Sequence, residues 1–273
     1  MAYAAPPLWH SCLSVQESGM ARKLVLAGAQ MSARDSVPGA ARAVASFVER
    51  AAARGATHLV TPEMILTGYH ASFSQAERDR AVEEVVRPAA RRARLTLMLG
   101  AGTFVSPSGR RLRKPLNQVL VIGPDGDIVG AHSKTIPTGS DLKWSTRGRP
   151  SDLKVFRSGG LVFGCLICND FWATPRYTAL PDLNLPVRLA RMGARVIFHS
   201  IASGFDRAYL DFHTRRLEER AIRGRVWVAG ANAVNNPGKP VNAPSGVVDP
   251  GGRWRIRAPG RGERLYALKV SIG

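Results

Sequence analysis

The stretch from Leu161 to Trp172, LVFGCLICNDFW, constrains the fold of this chain more than any other. Its apolar part is long enough to be a buried β-strand, and it stops abruptly at Cys168, Asn169 and Asp170. A strand that ends in polar residues at a sharp turn holds its last side chain at the edge of a sheet. The thiol of Cys168 is therefore a candidate nucleophile, provided that a base and a cation lie nearby and keep it ionised.

Two charged residues follow predicted strands in the same way. Glu63 comes directly after Pro62, which breaks the strand at 57–60, and its sequence neighbours are apolar. A carboxyl group in apolar surroundings has a raised pKa, which suits a general base. Lys134 follows the strand at 128–132 and does not belong to a run of charges. Each residue alone fits an ordinary solvated side chain, so the prediction rests on Glu63, Lys134 and Cys168 all lying beyond strand ends.

Predicted strands alternate with helices in the outer parts of the chain, and hairpins occupy its middle. Helical periodicity covers 36–53 and 75–93, and strand patterns cover 95–100, 116–122 and 128–132. An Asp-Gly turn at 123–127 joins the last two strands, which is a strong hairpin signal. This order predicts an α/β fold in which helices cover sheet layers. Residues 22–273 are predicted to form a single domain, because no repeat or linker divides them.

The start of the chain carries a separate expectation. Met20 and the residues after it are typical of a protein start, so residues 1–21 are predicted to be a flexible N-terminal extension or a start-site artefact. They lack the basic start and apolar middle of a secretion signal. No segment reaches the roughly 18 continuous apolar residues that span a bilayer. Because three cysteines do not make a disulfide framework, we expect a cytoplasmic protein without a membrane segment.

The formal net charge of +19 raises the question of a polyanionic partner. The arginines are scattered, however, and only short pairs such as Arg91-Arg92 and Arg215-Arg216 occur. A solvated basic surface explains this pattern better than a nucleic-acid interface, which is the less favoured alternative. The region from Arg253 to Arg264 has the densest basic sequence and would be the place for such an interface.

Cys165 and Cys168 together form a Cys-x-x-Cys sequence, so a redox or metal site is an alternative to nucleophilic catalysis. Side chains three positions apart on a strand point to opposite faces, so the two sulfurs are expected to diverge. The sequence has no second cysteine pair to complete a zinc site. Cys165 is interpreted as a packing residue, and we predict no metal or organic cofactor.

The sequence around these residues resembles the carbon–nitrogen hydrolases of the nitrilase superfamily. The intervals of 71 and 34 residues between Glu63, Lys134 and Cys168 are similar to those of the family. The resemblance implies a four-layer α-β-β-α sandwich that forms a homodimer or a higher homo-oligomer. Three blocks in the family's order carry it: Pro62-Glu63-Met64 with Thr67-Gly68-Tyr69, then His132-Ser133-Lys134-Thr135-Ile136-Pro137, then Leu166-Ile167-Cys168-Asn169-Asp170.

The resemblance also implies a role for each residue. Glu63 would be the general base, and Cys168 would attack a carbonyl or nitrile carbon to form a thioester. Lys134, with the backbone N–H after Cys168, would stabilise the oxyanion. Many members have a second glutamate in the loop after the lysine. Asp141 is the nearest acidic residue here, and we predict that it orients Lys134 or the substrate.

The residues after Cys168 bear on the substrate. Asn169 is predicted to support the site. The sequence Cys-Asn-Asp resembles N-carbamoyl-D-amino-acid hydrolases, which continue with two arginines that clamp a carboxylate, whereas this chain has Phe171 and Trp172. This difference argues against an N-carbamoyl amino acid unless Arg176 substitutes for those arginines. Phe171 and Trp172 either line the pocket or pack beneath it.

These observations lead to a first hypothesis and several alternatives. The first is a cysteine-dependent hydrolase that cleaves a small non-peptide amide through a thioester. The second passes the same thioester to an amine and is an amide-forming acyltransferase. Nitrile hydrolysis is a third option within the family. A basic nucleic-acid-binding protein without catalysis is the alternative from another class.

Overall fold

The computed structural model describes residues 22–69, 72–236 and 238–272. The predicted extension at 1–21 lies outside the described residues. Two six-stranded β-sheets pack face to face, with helices on their outer faces. The strands are β1 (Arg22–Gln30), β2 (His58–Val60), β3 (Thr96–Val105), β4 (Arg111–Ile122), β5 (Ile128–Ser133), β6 (Phe156–Ser158), β7 (Leu161–Ile167), β8 (Val196–Ile201), β9 (Trp227–Asn232), β10 (Gly246–Val248), β11 (Trp254–Arg257) and β12 (Arg264–Ile272).

The two sheets are built in similar ways. The first has the order β12-β1-β2-β3-β4-β5, and the second has the order β11-β10-β9-β8-β7-β6. Three neighbouring strands run parallel in each sheet, namely β1, β2 and β3 in the first and β7, β8 and β9 in the second. The outer strands of both sheets pair antiparallel. The parallel strands alternate with helices along the chain, as the sequence predicted.

Seven α-helices accompany the sheets, and they are α1 (Val37–Ala52), α2 (Gln75–Ala81), α3 (Arg87–Ala93), α4 (Asp141–Trp144), α5 (Asn169–Trp172), α6 (Leu185–Arg191) and α7 (Leu210–Gly224) in the described residues. Helix α1 shows why the sequence folds this way. The Ser36 hydroxyl accepts a hydrogen bond from the Gly39 N–H and caps the helix. Its buried residues, among them Val44, Phe47 and Val48, repeat at helical spacing and form one apolar face.

Two hydrophobic clusters give the molecule its layers. In the first, residues of α1 and α3 pack against the outer face of the first sheet, where Leu97 and Leu99 are fully buried. The second fills the space between the sheets, with Met98 from one and Phe163 from the other, and continues beneath α6 and α7. The molecule is therefore a four-layer α-β-β-α sandwich, which confirms the predicted fold class.

The helix predicted over 75–93 is interrupted. Residues Val82–Val86 form a π-helical turn between α2 and α3, and the Arg87 N–H donates to the carbonyl of Val82, five residues earlier. Pro88 explains the interruption, because its ring has no N–H and collides with the carbonyl four residues before it in a regular α-helix. The wider turn accommodates the proline without ending the helical segment.

The predicted hairpin between β4 and β5 is confirmed. The two strands pair antiparallel, and the Gly123 N–H donates to the Asp127 carbonyl at 2.8 Å. Gly126 in the turn has a φ of 83°, in the left-handed region that favours glycine. Strand β5 therefore returns along β4 and brings the residue after it, Lys134, to the interior.

Candidate active site

Glu63, Lys134 and Cys168 each follow the end of a strand. Glu63 lies three residues after β2, Lys134 directly follows β5, and Cys168 directly follows β7. Strands β2 and β5 belong to the first sheet and β7 to the second, so the three residues meet across the sandwich. All three line one cavity of about 260 Å³.

The ammonium group of Lys134 lies between two carboxylates. Its Nζ atom is 2.7 Å from Glu63 Oε1 and 2.7 Å from Asp141 Oδ2. Asp141 begins the short helix α4, and the Thr138 N–H donates to its Oδ2 at 2.8 Å. All three charged side chains are buried. The structure thus brings Asp141 into direct contact with Lys134, although its side chain is one methylene shorter than that of glutamate.

The three charges shift each other's pKa values. Burial raises the pKa of the Glu63 carboxyl, and the charge of Lys134 opposes that rise only in part. Burial alone would lower the pKa of Lys134, but the negative charges of Glu63 and Asp141 raise it well above its usual range. Burial would also raise the pKa of Asp141, yet Lys134 lowers it. Glu63 is therefore the more basic carboxylate, and Lys134 stays protonated.

Cys168 occupies a strained turn between β7 and α5. Its backbone angles are φ 45° and ψ −109°, a conformation that residues with a side chain rarely adopt. Its N–H donates to the Ser200 carbonyl at 2.9 Å, and its own carbonyl lies 3.1 Å from His199 Nε2. Burial lowers the pKa of His199 to about 3, so this ring is neutral and can donate one N–H. These two contacts with β8 hold the turn.

The surroundings of the Cys168 thiol favour its protonated form, which fits the predicted role of Glu63 as the base that takes its proton. Burial raises its pKa, Glu63 adds to the rise, and Lys134 opposes it too weakly. Such a thiol reacts as a nucleophile only when a neighbouring base takes its proton during attack. Glu63 lines the same cavity and has a raised pKa, as that step requires.

The structure separates the other predicted residues into two groups. Asn169 and Trp172 line the cavity, and the side-chain carbonyl of Asn169 accepts a hydrogen bond from the Thr174 N–H at 3.1 Å. Phe171 is fully buried outside the lining and stacks on His199 with ring centroids 4.7 Å apart. Arg176 is exposed and also lies outside the lining.

Sequence reasoning missed two groups that hold Glu63. The Asn117 side-chain amide donates to Glu63 Oε1 at 2.7 Å, and the Ala202 N–H donates to Oε2 at 3.1 Å. Asn117 interrupts the apolar pattern of β4, which is the signal that could have identified it. The Ala202 contact has no sequence signal, because a backbone N–H is present at every residue except proline.

Asp170 is a further residue that sequence reasoning did not assign. It is fully buried, and its Oδ1 accepts hydrogen bonds from the Thr135 and Ile136 N–H groups, both at 2.7 Å. Its Oδ2 accepts from the Ile167 N–H at 3.2 Å and lies 2.8 Å from His132 Nε2. One carboxylate therefore joins the segment after Lys134 to the turn that holds Cys168.

Cys165 does not join this site. It lies within β7, is fully buried and is absent from the cavity lining. Among the residues that the structure describes, no group of three or more His, Cys, Asp or Glu side chains could hold a metal ion. Burial alone raises the pKa of the Cys165 thiol, which is the behaviour of a packing residue.

Comparison with known proteins connects this geometry to a family. A family model described as carbon-nitrogen hydrolase matches residues 25–266, which is most of the chain. The chain belongs to the carbon-nitrogen hydrolase family. The predicted membership of the nitrilase superfamily is thus confirmed, and this carbon-nitrogen hydrolase is an enzyme that acts on C–N bonds other than peptide bonds.

Relatives of this carbon-nitrogen hydrolase include a plant amidase. N-carbamoylputrescine amidase from Arabidopsis thaliana is 27% identical over an alignment of 228 residues, which covers 81% of this chain and 71% of that protein. The similarity extends over most of both chains. It supports an amidase-like function for the family member described here.

Solved amidases share the fold of this carbon-nitrogen hydrolase. The NitN amidase from Nesterenkonia sp. AN1 superposes with a TM-score of 0.77 at 20% identity, over 90% of this chain and 92% of that one. A variant of the Nesterenkonia amidase shows covalent addition of the acetamide moiety of fluoroacetamide at its active site cysteine. It superposes with a TM-score of 0.75 at 19% identity, over 93% and 94% of the two chains. At 19–20% sequence identity, this structural similarity establishes a shared fold and no more.

The helices of the described ranges also bear on membrane association. Each of them is too short or too polar to cross a lipid bilayer. The longest, α1, has 16 residues, and its apolar face is covered by the first sheet.

Proposed function

We propose that this enzyme cleaves a small non-peptide amide through a thioester intermediate on Cys168. The observation that carries the proposal is a single cavity of about 260 Å³ lined by the Cys168 thiol, the Glu63 carboxylate and the Lys134 ammonium. A thiol, a base with a raised pKa and a fixed positive charge are the groups that acyl transfer requires.

In the first step, Glu63 takes the thiol proton while the sulfur of Cys168 attacks the amide carbonyl carbon. The carbonyl electron pair moves to oxygen, and Lys134 stabilises the oxyanion together with the Asn169 backbone N–H. When the oxyanion collapses, the C–N bond breaks, and Glu63 gives its proton to the leaving nitrogen. Ammonia or an amine departs, and the acyl group remains on sulfur as a thioester.

In the second step, water replaces the departed amine. Glu63 removes a proton from the water as its oxygen attacks the thioester carbon, and the same two groups stabilise the second oxyanion. The C–S bond then breaks, the carboxylic acid leaves, and the sulfur takes the proton back from Glu63. The enzyme returns to its starting state with a protonated thiol and an ionised carboxylate.

The contacts around Glu63 and Lys134 support these roles. Asn117 and the Ala202 N–H each donate to one oxygen of Glu63, so the carboxylate has a defined orientation. Asp141 also contacts the Lys134 ammonium, with an Nζ–Oδ2 distance of 2.7 Å, and balances its charge together with Glu63. Held in this way, the ammonium group needs little rearrangement when the oxyanion develops.

Hydroxylamine trapping with simple aliphatic amides tests this proposal. With hexanamide, we expect ammonia and hexanoic acid in equal amounts, and hydroxylamine should divert the acyl group to the hydroxamate. Ammonia release that persists unchanged in Cys168→Ala would contradict the proposal. Adding a primary amine and analysing the products distinguishes hydrolysis from amide-forming acyl transfer, and hexanenitrile tests nitrile hydrolysis in the same assay.

Assembly and location stay predictions. The family resemblance predicts a homodimer or a higher homo-oligomer, and light scattering of the purified protein measures it. A cytoplasmic location rests on the sequence alone, whose three cysteines do not make a disulfide framework. The alternative of a nucleic-acid-binding protein without catalysis is set aside, because this chain is a carbon-nitrogen hydrolase.

A further inference from the structure

The charges in the cavity are unevenly distributed around Lys134. Its ammonium group contacts both Glu63 and Asp141 at 2.7 Å. Among the described residues of the lining, Lys134 is the sole lysine or arginine, so two carboxylates face one cation. Tyr69 and His213 add no charge at neutral pH, because burial raises the pKa of the tyrosine well above its usual range and lowers that of the histidine.

Aromatic rings form much of the remaining wall. Tyr69 and Trp144 pack edge to face with centroids 5.4 Å apart, and Trp172 stacks on His213 at 4.3 Å. Tyr177, which is 44% exposed, also belongs to the lining. The face of an aromatic ring offers apolar surface with a negative quadrupole. Such walls favour apolar groups, tolerate cations and disfavour anions.

The volume of the cavity limits the length of the acyl chain. At about 260 Å³, it lies just below the range of roughly 300–1,000 Å³ that is usual for pockets of drug-sized ligands. A chain of a few carbon atoms beyond the carbonyl fits such a space. Any charge at the end of so short a chain remains inside the cavity.

From this arrangement we infer that the acyl part of the substrate is uncharged and that the cavity rejects amides carrying a carboxylate. The inference rests on the proposed function, because it concerns the same site. A carboxylate would lose its hydration and meet Glu63 and Asp141. Lys134, the sole lysine or arginine of the described lining, is already paired with both of them. A cationic chain would also lose hydration, but the carboxylates and the ring faces partly compensate it.

A matched pair of amides tests the inference directly. 5-Methylhexanamide and the monoamide of glutaric acid have the same length and shape, and they differ in an isopropyl group against a carboxylate. We expect kcat/KM for the neutral amide to be at least about 100-fold higher, since the buried anion is left uncompensated. The cationic 5-aminopentanamide should fall between them. A glutaric monoamide hydrolysed within threefold of the neutral amide would overturn the inference.

Alkylation of Cys168 separates this inference from the proposed function. Iodoacetamide and iodoacetate are neutral and anionic reagents of nearly equal size, and peptide mapping gives the rate of each at Cys168. After division by the same ratio for N-acetylcysteine, we expect iodoacetamide to be favoured by roughly 30-fold or more. A normalised ratio near one would overturn the charge selectivity alone. Failure of both reagents at Cys168 would contradict the proposed function and this inference together.

Two arginine substitutions on the same helix identify the origin of the selectivity. Trp144 lines the cavity, whereas Leu142 is 46% exposed and lies outside the lining. Trp144→Arg should shift the normalised ratio about tenfold towards iodoacetate, because it adds a cation to the wall of the cavity that Cys168 lines. Leu142→Arg adds the same charge outside and should leave the ratio unchanged. Equal shifts in both variants would assign the selectivity to overall charge and overturn the inference about the cavity.

Discussion

Cys165 and Cys168 are three residues apart but belong to different regions of the molecule. Cys165 lies within β7, between the sheets, and Cys168 lies in the turn between that strand and α5. Burial raises the pKa of both thiols. Burial alone therefore does not distinguish a packing cysteine from a candidate nucleophile.

The neighbours of each thiol make the difference. The pKa of Cys165 rises through burial with no charged group acting on it, whereas Glu63, Lys134 and Asp141 all act on Cys168. Cys168 also lines the cavity, and its strained backbone turns it out of the strand direction. A neighbouring base, a neighbouring cation and access to the cavity therefore distinguish the cysteine that can react from the one that packs.

The largest effect is expected from Cys168→Ala. Without the sulfur no thioester can form, and amide turnover should fall by at least about 10⁴-fold. Steady-state ammonia release from hexanamide measures this, with circular dichroism to verify folding. Turnover within tenfold of the wild type would contradict the claim that Cys168 is required and Cys165 is not.

Glu63→Gln should have the next largest effect. The amide keeps the shape of the side chain but cannot accept the thiol proton, so kcat/KM should fall by about 10²–10⁴-fold. Glu83→Gln is the matched control, since Glu83 is exposed and pairs with Arg87 on the surface. If both variants retain full activity, Glu63 is not the base.

Asp141→Asn changes the charge near Cys168 but not the surroundings of Cys165. Lys134 then keeps Glu63 as its sole carboxylate partner among the described residues. We expect kcat/KM to fall by roughly 10–100-fold, because the ammonium is less well held for the oxyanion. Asp152→Asn, which removes a carboxylate paired with Arg149 on the surface, is the control. Equal decreases of kcat/KM in the two variants would contradict the role given to Asp141.

The pH profile tests the base independently of substitution. Attack requires Glu63 as the carboxylate, and burial raises its pKa above the ordinary value of 4.5. The kcat/KM of wild type should therefore fall about tenfold for each pH unit below that raised pKa, and the inflection should lie above pH 4.5. An inflection at or below pH 4.5 would contradict the assignment.

Stability must be followed alongside this profile. Burial lowers the pKa of His58 from 6.5 to about 4, so the unfolded chain binds a proton more readily than the folded one. The contribution of His58 to stability is therefore present above pH 6.5 and is lost as the pH falls towards 4. Urea unfolding at each pH separates loss of folding from protonation of Glu63.

The smallest effect is expected from Cys165→Ala. Removing a buried sulfur leaves a small cavity, and the free energy of unfolding should fall by about 1 kcal/mol. Turnover of hexanamide should stay within about twofold of the wild type. A loss comparable to that of Cys168→Ala would show that the division between the two regions is wrong.

The layered fold was predictable from the sequence, and so was the placement of Glu63, Lys134 and Cys168 after strand ends. Strand-ending residues are visible as changes from apolar to polar sequence, and Glu63, Lys134 and Cys168 all show that change. Contacts that depend on loop paths were not predictable. Asp141 reaches Lys134 through a loop and a short helix, and neither its distance nor the exposure of Arg176 follows from sequence spacing.

The net effect of burial and neighbouring charges on the pKa of Cys168 could not be predicted from the sequence. Lys134 near Cys168 favours an ionised thiol, but burial, Glu63 and Asp141 all raise the pKa of the thiol, and this balance depends on distances in the folded chain. Asp170 was overlooked because its structural role depends on four hydrogen-bond contacts, and only the folded chain brings their partners together. These hydrogen bonds and charge interactions depend on which groups meet in the folded chain, and the periodicity of the sequence does not predict them.

Peptide mapping after a rapid acid quench tests the central claim most directly. Wild type mixed with hexanamide should show the mass of a hexanoyl group on the peptide that contains Cys165 and Cys168. Fragmentation should place that group on the sulfur of Cys168, and Cys165→Ala should show the same adduct. An acyl group on Cys165, or rapid turnover with no acylated cysteine at any quench time, would contradict the account.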